Sequence, residues 1–256
     1  VMHPQRTASG YRMYSQHDVD TIRWLKERVE EGLSISRACE LLRQEGEAAP
    51  APAPSAPEPF GMGPRPLNAL KDELLDAYRA TDEGAANKTI NDALALYSLE
   101  QVINDLLFPS LVEVGERWMR NEFTVAHEHF ASALVRSRLA NLFHSSPYYP
   151  AGPLILVACA PGELHEIGAQ VLALFLRRSG YRVVYLGQNV PEESLLSMIR
   201  TLRPALVCCS ASRTETAANL RPLAEAVHQL RADTGWAPRL AFGGSIFTRH
   251  PDLAAK

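Results

Sequence analysis

The sequence lacks the features that mark membrane proteins and disulfide-rich secreted proteins. None of its apolar runs approaches the length needed to cross a bilayer, and no signal peptide is recognised. The four cysteines, Cys39, Cys159, Cys208 and Cys209, include no Cys-x-x-Cys pair, and the last three lie in apolar runs. We therefore expect reduced core thiols in a cytoplasmic protein that makes no membrane contact.

The chain also lacks an excess of charge of either sign. Its 26 Lys and Arg against 29 Asp and Glu give a net charge of -3, so any contact with DNA must come from a local basic patch. With 256 residues, 46% of them hydrophobic, it is long enough for two or three domains with real cores. Because it begins at Val1 and stops soon after Gly243-Gly244, we expect both ends to be trimmed.

Composition and periodicity predict four regions and a multidomain fold. Residues 47–66 alternate Ala and Pro, which indicates an extended linker after a small N-terminal piece, residues 1–46. Apolar residues at helical spacing over 67–147 predict a four-helix bundle, with N-caps at Asp82 and Thr124 and an irregularity at Pro109. Short apolar runs that alternate with helical segments over 148–256 predict a doubly wound α/β domain with a parallel sheet buried on both faces.

The loop after the first predicted strand of this α/β domain is the candidate site, since ligands of such sheets bind beyond the carboxyl ends of the strands. It carries Glu163-x-His165-x-x-Gly168, which is followed after 41 intervening residues by Ser210-Ala211-Ser212 and then by Gly243-Gly244. This set resembles the flavodoxin-like cobalamin-binding domains, whose usual pattern is Asp-x-His-x-x-Gly, Ser-x-Leu and Gly-Gly. The chain departs from it at Glu163, whose extra methylene predicts a looser contact with the histidine, and at Ser212.

The resemblance implies that His165 is the lower axial ligand of cobalt, in place of the cofactor's own dimethylbenzimidazole. A carboxylate two residues away can accept the other ring N–H and fix the tautomer. For Glu166, a solvated carboxylate at a helix N-terminus is an equally good interpretation. The other residues implied to lie around the cofactor are Glu163, Leu164, Glu166, Ile167, Gly168, Ser210, Ser212, Gly243 and Gly244.

The predicted bundle contains a second pattern, in which nine residues separate Trp118 from Glu128-His129. It resembles the CarH/LitR-type light-dependent regulators, where the corresponding residues cap a 5′-deoxyadenosyl group. Without that resemblance, Trp118 would be a bundle-core residue, and Glu128 and His129 an exposed first turn. In the light-sensing relatives a histidine follows the tryptophan and can take the upper cobalt position; here Met119 stands there. His129 or water would have to substitute, or light is not the signal.

The N-terminal piece resembles the wing and following helices of MerR-type winged-helix domains, with helices predicted over Asp18–Glu31 and Ser34–Glu45. The resemblance implies DNA contacts from Arg6, Tyr11 and Arg12, and places the recognition helix before the start of the chain. We therefore predict a non-enzymatic, light-responsive repressor that binds adenosylcobalamin. Photolysis is expected to dissociate its DNA-binding tetramer and so to change DNA binding. The alternatives are a corrinoid methyl carrier and a light-independent cobalamin sensor, with methylcobalamin or hydroxocobalamin as the other cofactor forms.

Overall fold

The structure, a computed structural model, describes residues 5–6, 12–13, 16–30, 42 and 65–255. The chain divides into two compact units, Val1–Gly63 and Pro64–Lys256, so the division falls within the Ala/Pro segment. In the first unit, β1 (Gln5–Arg6) and β2 (Arg12–Met13) pair antiparallel, and α1 (Gln16–Glu30) follows. Tyr11, nearly all of the helix predicted over Ser34–Glu45 and nearly all of the linker lie outside the described residues.

The second unit begins with the predicted helical bundle. Its helices are α2 (Leu67–Ala80), α3 (Glu83–Leu96), a compound helix α4 over residues 99–119, and α5 (Val125–Ser145). Asp82 caps α3 by accepting a 2.9 Å hydrogen bond from the Ala85 backbone N–H, as predicted. The bundle core is mostly aliphatic, with Tyr78 also fully buried, and its most buried aliphatic members include Leu70, Leu74, Ile90, Ile103, Leu106 and Leu139.

The irregularity predicted at Pro109 takes the form of a π-helical turn within α4. The helix begins as Leu99–Gln101, widens to the π turn Val102–Leu107, and resumes as the α-helix Phe108–Met119. Proline lacks a backbone N–H and crowds the carbonyl four residues earlier, so it is tolerated near the start of an α-helix. The π turn places Pro109 at such a start, and the chain stays helical through it.

The rest of the unit is the predicted parallel sheet with helices on both faces. The strands are β3 (Leu154–Cys159), β4 (Arg182–Gly187), β5 (Leu206–Ser210) and β6 (Arg239–Gly243), in the spatial order β4-β3-β5-β6. The connecting helices are α6 (Ile167–Arg178), α7 (Glu192–Leu202), α8 (Thr214–Ala218) and α9 (Leu220–Thr234), and α10 (Ser245–Arg249) follows β6. The fold class predicted from the sequence is therefore confirmed.

Alternate side chains of the central strand face opposite layers. Ile155 and Val157 pack on the side of α6, whereas Leu156 packs on the side of α7 and α9. The prediction that every strand is buried on both faces is wrong for β6, where Ala241 and Phe242 are exposed. The reason is that β6 lies at the edge of the sheet, where only β5 pairs with it among the described residues.

Helix α6 belongs to both halves of the second unit. Its residues Val171 and Leu174 lie in the same apolar cluster as the bundle core, whereas Ala169 and Ala173 pack against the sheet. The bundle therefore packs directly on the helix that starts two residues after His165. No helix among the described residues combines the length and apolarity that a membrane span requires.

Candidate functional site

The loop between β3 and α6 is held from several sides. Gly162, with a positive φ of 80°, donates its backbone N–H to the Asn189 side chain at 2.8 Å. Asn189 in turn donates its own backbone N–H to the Glu163 carbonyl at 2.9 Å. From the next loop of the sheet, the Arg213 guanidinium donates to the Gly162 carbonyl at 3.1 Å. These bonds fix the backbone that presents Glu163 and His165.

Glu163 is completely buried and accepts hydrogen bonds on both carboxylate oxygens. Its Oε1 lies 2.9 Å from the His165 backbone N and 2.7 Å from His165 Nδ1. Its Oε2 accepts from the Ser212 backbone N–H at 2.6 Å, from the Ser212 hydroxyl at 2.8 Å and from the Thr216 hydroxyl at 2.8 Å. A buried carboxylate with this many donors is fully compensated for the water it has lost.

The same contacts set the ionisation of Glu163. Burial by itself would raise the pKa of this carboxyl, but the two backbone N–H donors, with the Thr216 and His165 side chains, lower it to about 2. Glu163 is therefore a carboxylate at neutral pH. A carboxylate beside Nδ1 favours the tautomer that carries its proton there, which leaves Nε2 with its lone pair.

His165 combines a fixed ring nitrogen with an exposed ring, since its side chain is 71% exposed. The looser contact expected from the longer Glu163 side chain is not found: the 2.7 Å separation is that of a short charge-assisted hydrogen bond. The extra methylene is accommodated because Ser212 and Thr216 hold the far oxygen. The ring is thus oriented by Glu163 while Nε2 remains able to bind an incoming ligand.

Ser212, which departs from the usual leucine, belongs to this cluster. Its hydroxyl lies 3.0 Å from His165 Nδ1 as well as 2.8 Å from Glu163. Thr216, to which no sequence pattern points, is buried and donates to the same carboxylate. A threonine on a short helix carries no signal of this role in the sequence, because its partner lies 53 residues away.

A slot opens beside this cluster, between α6 and the edge of the sheet. Its volume is about 350 Å³. At Gly168 and Gly243 an added Cβ would meet no atom within 4 Å, so both glycines line open space. At Gly244, where φ is 116°, a Cβ would lie 2.0 Å from the Ala211 carbonyl oxygen, so this glycine is required by the backbone itself. The slot is lined by Gly168, Ala169, Leu172, Cys208, Cys209, Ser210, Ala241, Phe242, Gly243 and Gly244.

Three other residues predicted around the cofactor lie differently. The Leu164 side chain is 59% exposed, and Ile167 packs against the bundle core. Glu166 is largely buried and accepts a 2.8 Å hydrogen bond from the Tyr185 hydroxyl, and its other oxygen lies 3.6 Å from Arg136 Nη1. Of the two interpretations of Glu166, the solvated carboxylate is therefore wrong.

The second group of predicted residues lies at the connection between α4 and α5. Trp118, near the end of α4, is 48% exposed, so it is not the core residue that helical spacing alone would make it. The Glu128 carboxylate lies 2.5 Å from His129 Nδ1 and accepts a 2.7 Å hydrogen bond from the Ser132 hydroxyl. Burial raises the pKa of Glu128, but the bonds from Ser132 and His129 outweigh it and lower the pKa overall. Met119 is the most exposed large apolar residue of the described chain.

In the first unit, the strand pairing places Arg6 opposite Arg12. Two arginines are thus brought side by side on a short antiparallel ladder, as in the predicted wing. Their side chains, like the whole of Tyr11, lie outside what the structure describes.

Comparisons with known proteins agree with this architecture. Two family profiles, each described as a B12 binding domain, match residues 70–142 and 153–256, and one described as MerR HTH family regulatory protein matches residues 1–45. The solved structure of the monomethylamine corrinoid protein of Methanosarcina barkeri superposes with a TM-score of 0.59 at 18% identity, covering 70% of this chain and 86% of that one. The fold and these matches thus define a cobalamin-binding protein that also carries a region similar to MerR-type regulators.

Two curated relatives come from Myxococcus xanthus. The HTH-type transcriptional repressor CarH is 37% identical over 218 residues, which are 85% of this chain and 72% of CarH. The HTH-type transcriptional repressor CarA is 32% identical over 206 residues, 80% of this chain and 65% of CarA. The chain belongs to the CarH-type family of cobalamin-binding MerR transcriptional regulators.

Proposed function

We propose that this chain is the cofactor-binding part of a repressor that binds adenosylcobalamin, with His165 as the lower ligand of cobalt, and that responds to light. The observation that carries the proposal is the Glu163–His165 pair. A buried carboxylate 2.7 Å from Nδ1 fixes an otherwise exposed imidazole, which is how proteins usually orient a metal-binding histidine.

The residues present fit a corrinoid. Cobalt in a corrin already has four nitrogen ligands, so one imidazole is enough to hold it from below. Correspondingly, the described residues contain no cluster of three or more His, Cys, Asp or Glu side chains that could hold a bare metal ion. The slot of about 350 Å³ beside the histidine is lined in part by Gly168 and Gly243. This slot would receive the displaced nucleotide tail of the cofactor.

The adenosyl form is supported by the residues at the start of α5 and the end of α4. A half-exposed indole at Trp118 offers a flat apolar face, and the Glu128 carboxylate can accept hydrogen bonds from ribose hydroxyls. When bound, adenosylcobalamin supplies a cobalt–carbon bond that visible light breaks. Trp118 and Glu128 would then lose the group they cover, and the bundle would no longer be held in the position that favours assembly.

The response would be an altered oligomeric state and, with it, altered DNA binding. Arg6 and Arg12, paired on β1 and β2, would contribute phosphate contacts, and a tetramer would present several such domains to one operator. The cofactor must favour the assembled state over the dissociated one, since a ligand with equal affinity for both would switch nothing.

The test follows mass and absorption of the loaded protein in darkness and after illumination. We expect adenosylcobalamin to raise the mass measured by light scattering in the dark, and light to reverse the change. A mass that light leaves unchanged would refute the photoreceptor proposal. An assembly that hydroxocobalamin supports equally in darkness would favour a light-independent sensor.

The matched variants are His165→Ala, expected to abolish the spectrum of imidazole-bound cobalt, and His228→Ala. His228 lies on α9, in the layer on the opposite face of the sheet from α6, and serves as the control. Unchanged cobalamin uptake in His165→Ala would remove the basis of the proposal.

A further inference from the structure

Glu166 joins three parts of the fold at the residue that directly follows His165. Its Oε2 accepts from the hydroxyl of Tyr185, which lies on β4 of the sheet. Its Oε1 lies 3.6 Å from the guanidinium of Arg136, which lies on α5 of the bundle. The side chain of Glu166 is only 15% exposed, so these two partners supply polar contacts in place of water.

We propose that Arg136, Glu166 and Tyr185 form a polar link that couples the position of the bundle to the position of His165, so that Glu166 is a positioning residue for the axial ligand and not a cofactor contact. This inference rests on the proposed function only in taking His165 as the cobalt ligand. Light and oligomerisation play no part in it.

The connection from Glu166 to His165 is short and stiff. Glu166 precedes the first residue of α6, and its carbonyl accepts the Gln170 backbone N–H at 2.9 Å. One face of α6 lies in the bundle core through Val171 and Leu174. A shift of the bundle along its interface with the sheet would therefore also move the start of α6, and with it His165. Breaking the contact between Arg136 and Glu166 would prevent this movement.

The interface around the link contains unfilled space. A cavity of about 130 Å³ lies next to Tyr185, between α5 and α6, with Leu139 and Phe143 in its lining. In the same lining, Gln170 Oε1 is buried without a hydrogen-bond partner among the described residues. Unfilled space leaves the neighbouring side chains room to adjust when one element moves relative to another.

The two halves of the link differ in strength, and this fits a switchable contact. Burial raises the pKa of Tyr185, and its hydrogen bond to Glu166 raises it further, so the phenol remains a donor and anchors Glu166 to the sheet. Arg136 is 40% exposed and only within ion-pair distance. Half-exposed ion pairs are weak and can break and re-form. The ion pair between Arg136 and Glu166 is therefore the contact that breaks when the bundle moves.

The first experiment measures hydrogen exchange in the cofactor-free protein. Arg136→Gln should increase exchange at backbone amides of the His165 loop by about two- to fivefold, as expected for loss of an ion pair of this exposure. Arg136→Lys, which retains the charge, should restore most of the protection. The control is Arg138→Gln on the same helix, whose Nη2 donates to the Asn91 side chain on α3 at the surface of the bundle. Equal increases in hydrogen exchange at the His165 loop in Arg136→Gln and Arg138→Gln would overturn the proposed link.

The second experiment is a double-mutant cycle on the dissociation constant of hydroxocobalamin, measured by absorption in darkness. We expect Arg136→Gln and Glu166→Gln each to weaken binding by about two- to fivefold, and the double variant to bind no worse than either single one. Effects that multiply, or an unchanged constant in Arg136→Gln, would show a static contact and overturn the coupling. A parent chain that takes up no cobalamin would instead overturn the proposed function.

Discussion

Replacing Glu163 by glutamine should destabilise the cofactor-free protein by about 3 kcal/mol at neutral pH. The side chain is completely buried, and its hydrogen bonds lower the pKa from the ordinary value of 4.5 to about 2. A pKa difference of one corresponds to about 1.4 kcal/mol, so the difference between 4.5 and about 2 corresponds to about 3 kcal/mol. Glutamine retains the shape of the carboxyl. In either orientation, however, its NH2 group faces the backbone N–H of His165 or of Ser212.

The dependence on pH makes this prediction specific. Because the pKa of Glu163 is lower in the folded state, its stabilisation is complete well above pH 4.5 and is lost as the pH falls towards 2. The parent and Glu163→Gln proteins should therefore differ by about 3 kcal/mol at pH 7 and by only about 2 kcal/mol at pH 3.5.

Urea unfolding followed by circular dichroism at a series of pH values measures this difference. The control is Glu225→Gln, an exposed position on α9, which should change stability by less than about 0.5 kcal/mol. A variant as stable as the parent at pH 7 would refute the reasoning. So would a deficit that stays constant from pH 7 to pH 3.5, because it would not arise from the ionised carboxylate.

Three further predictions concern neighbouring parts of the structure. Thr216→Val should lower the unfolding free energy by about 2 kcal/mol and move the acid-induced loss of stability to higher pH, because the pKa of Glu163 rises; Thr216→Ser should restore both in the same urea series. Gly244→Ala should lower the unfolding free energy by at least about 2 kcal/mol, because its Cβ would meet the Ala211 carbonyl. Gly243→Ala should lower it by under about 0.5 kcal/mol yet weaken cobalamin uptake. Equal urea midpoints for the two variants would contradict this. Asp82→Ala should lower the unfolding free energy by about 1 kcal/mol, measured by thermal unfolding, because α3 loses its N-cap. Cobalamin affinity should remain unchanged.

Much of the fold could be predicted because each half of the second unit has its own periodicity. Apolar runs such as Leu154–Cys159 predicted the strands, and helical spacing predicted the bundle. The exposure of β6 could not be predicted, since an apolar run does not reveal whether its strand lies inside the sheet or at its edge. Nor could the π turn before Pro109, because a proline in a helical pattern predicts a disturbance without specifying its form.

The candidate site could be predicted only where its residues lie close together in the chain. Glu163, His165 and Gly168 stand within six residues of one another, so their spacing carried information. Thr216, on the short helix α8, and Asn189, in the loop after β4, are distant in the chain and meet the site only after folding. Ser212 was recognised as a departure from the usual pattern, but its hydrogen bonds to Glu163 and His165 required the structure.

These additional contacts change how the departures from the family pattern should be understood. Considered alone, a longer acidic side chain and a serine in place of leucine would each be expected to weaken the site around His165. In the structure they complement each other, because the extra methylene of Glu163 brings Oε2 within 2.8 Å of the Ser212 hydroxyl while Oε1 keeps its 2.7 Å contact with His165. With leucine at residue 212, that oxygen would keep only two donors, the backbone N–H of residue 212 and the Thr216 hydroxyl. The pair therefore forms one unit, and it should be changed together when its effect on the histidine is measured.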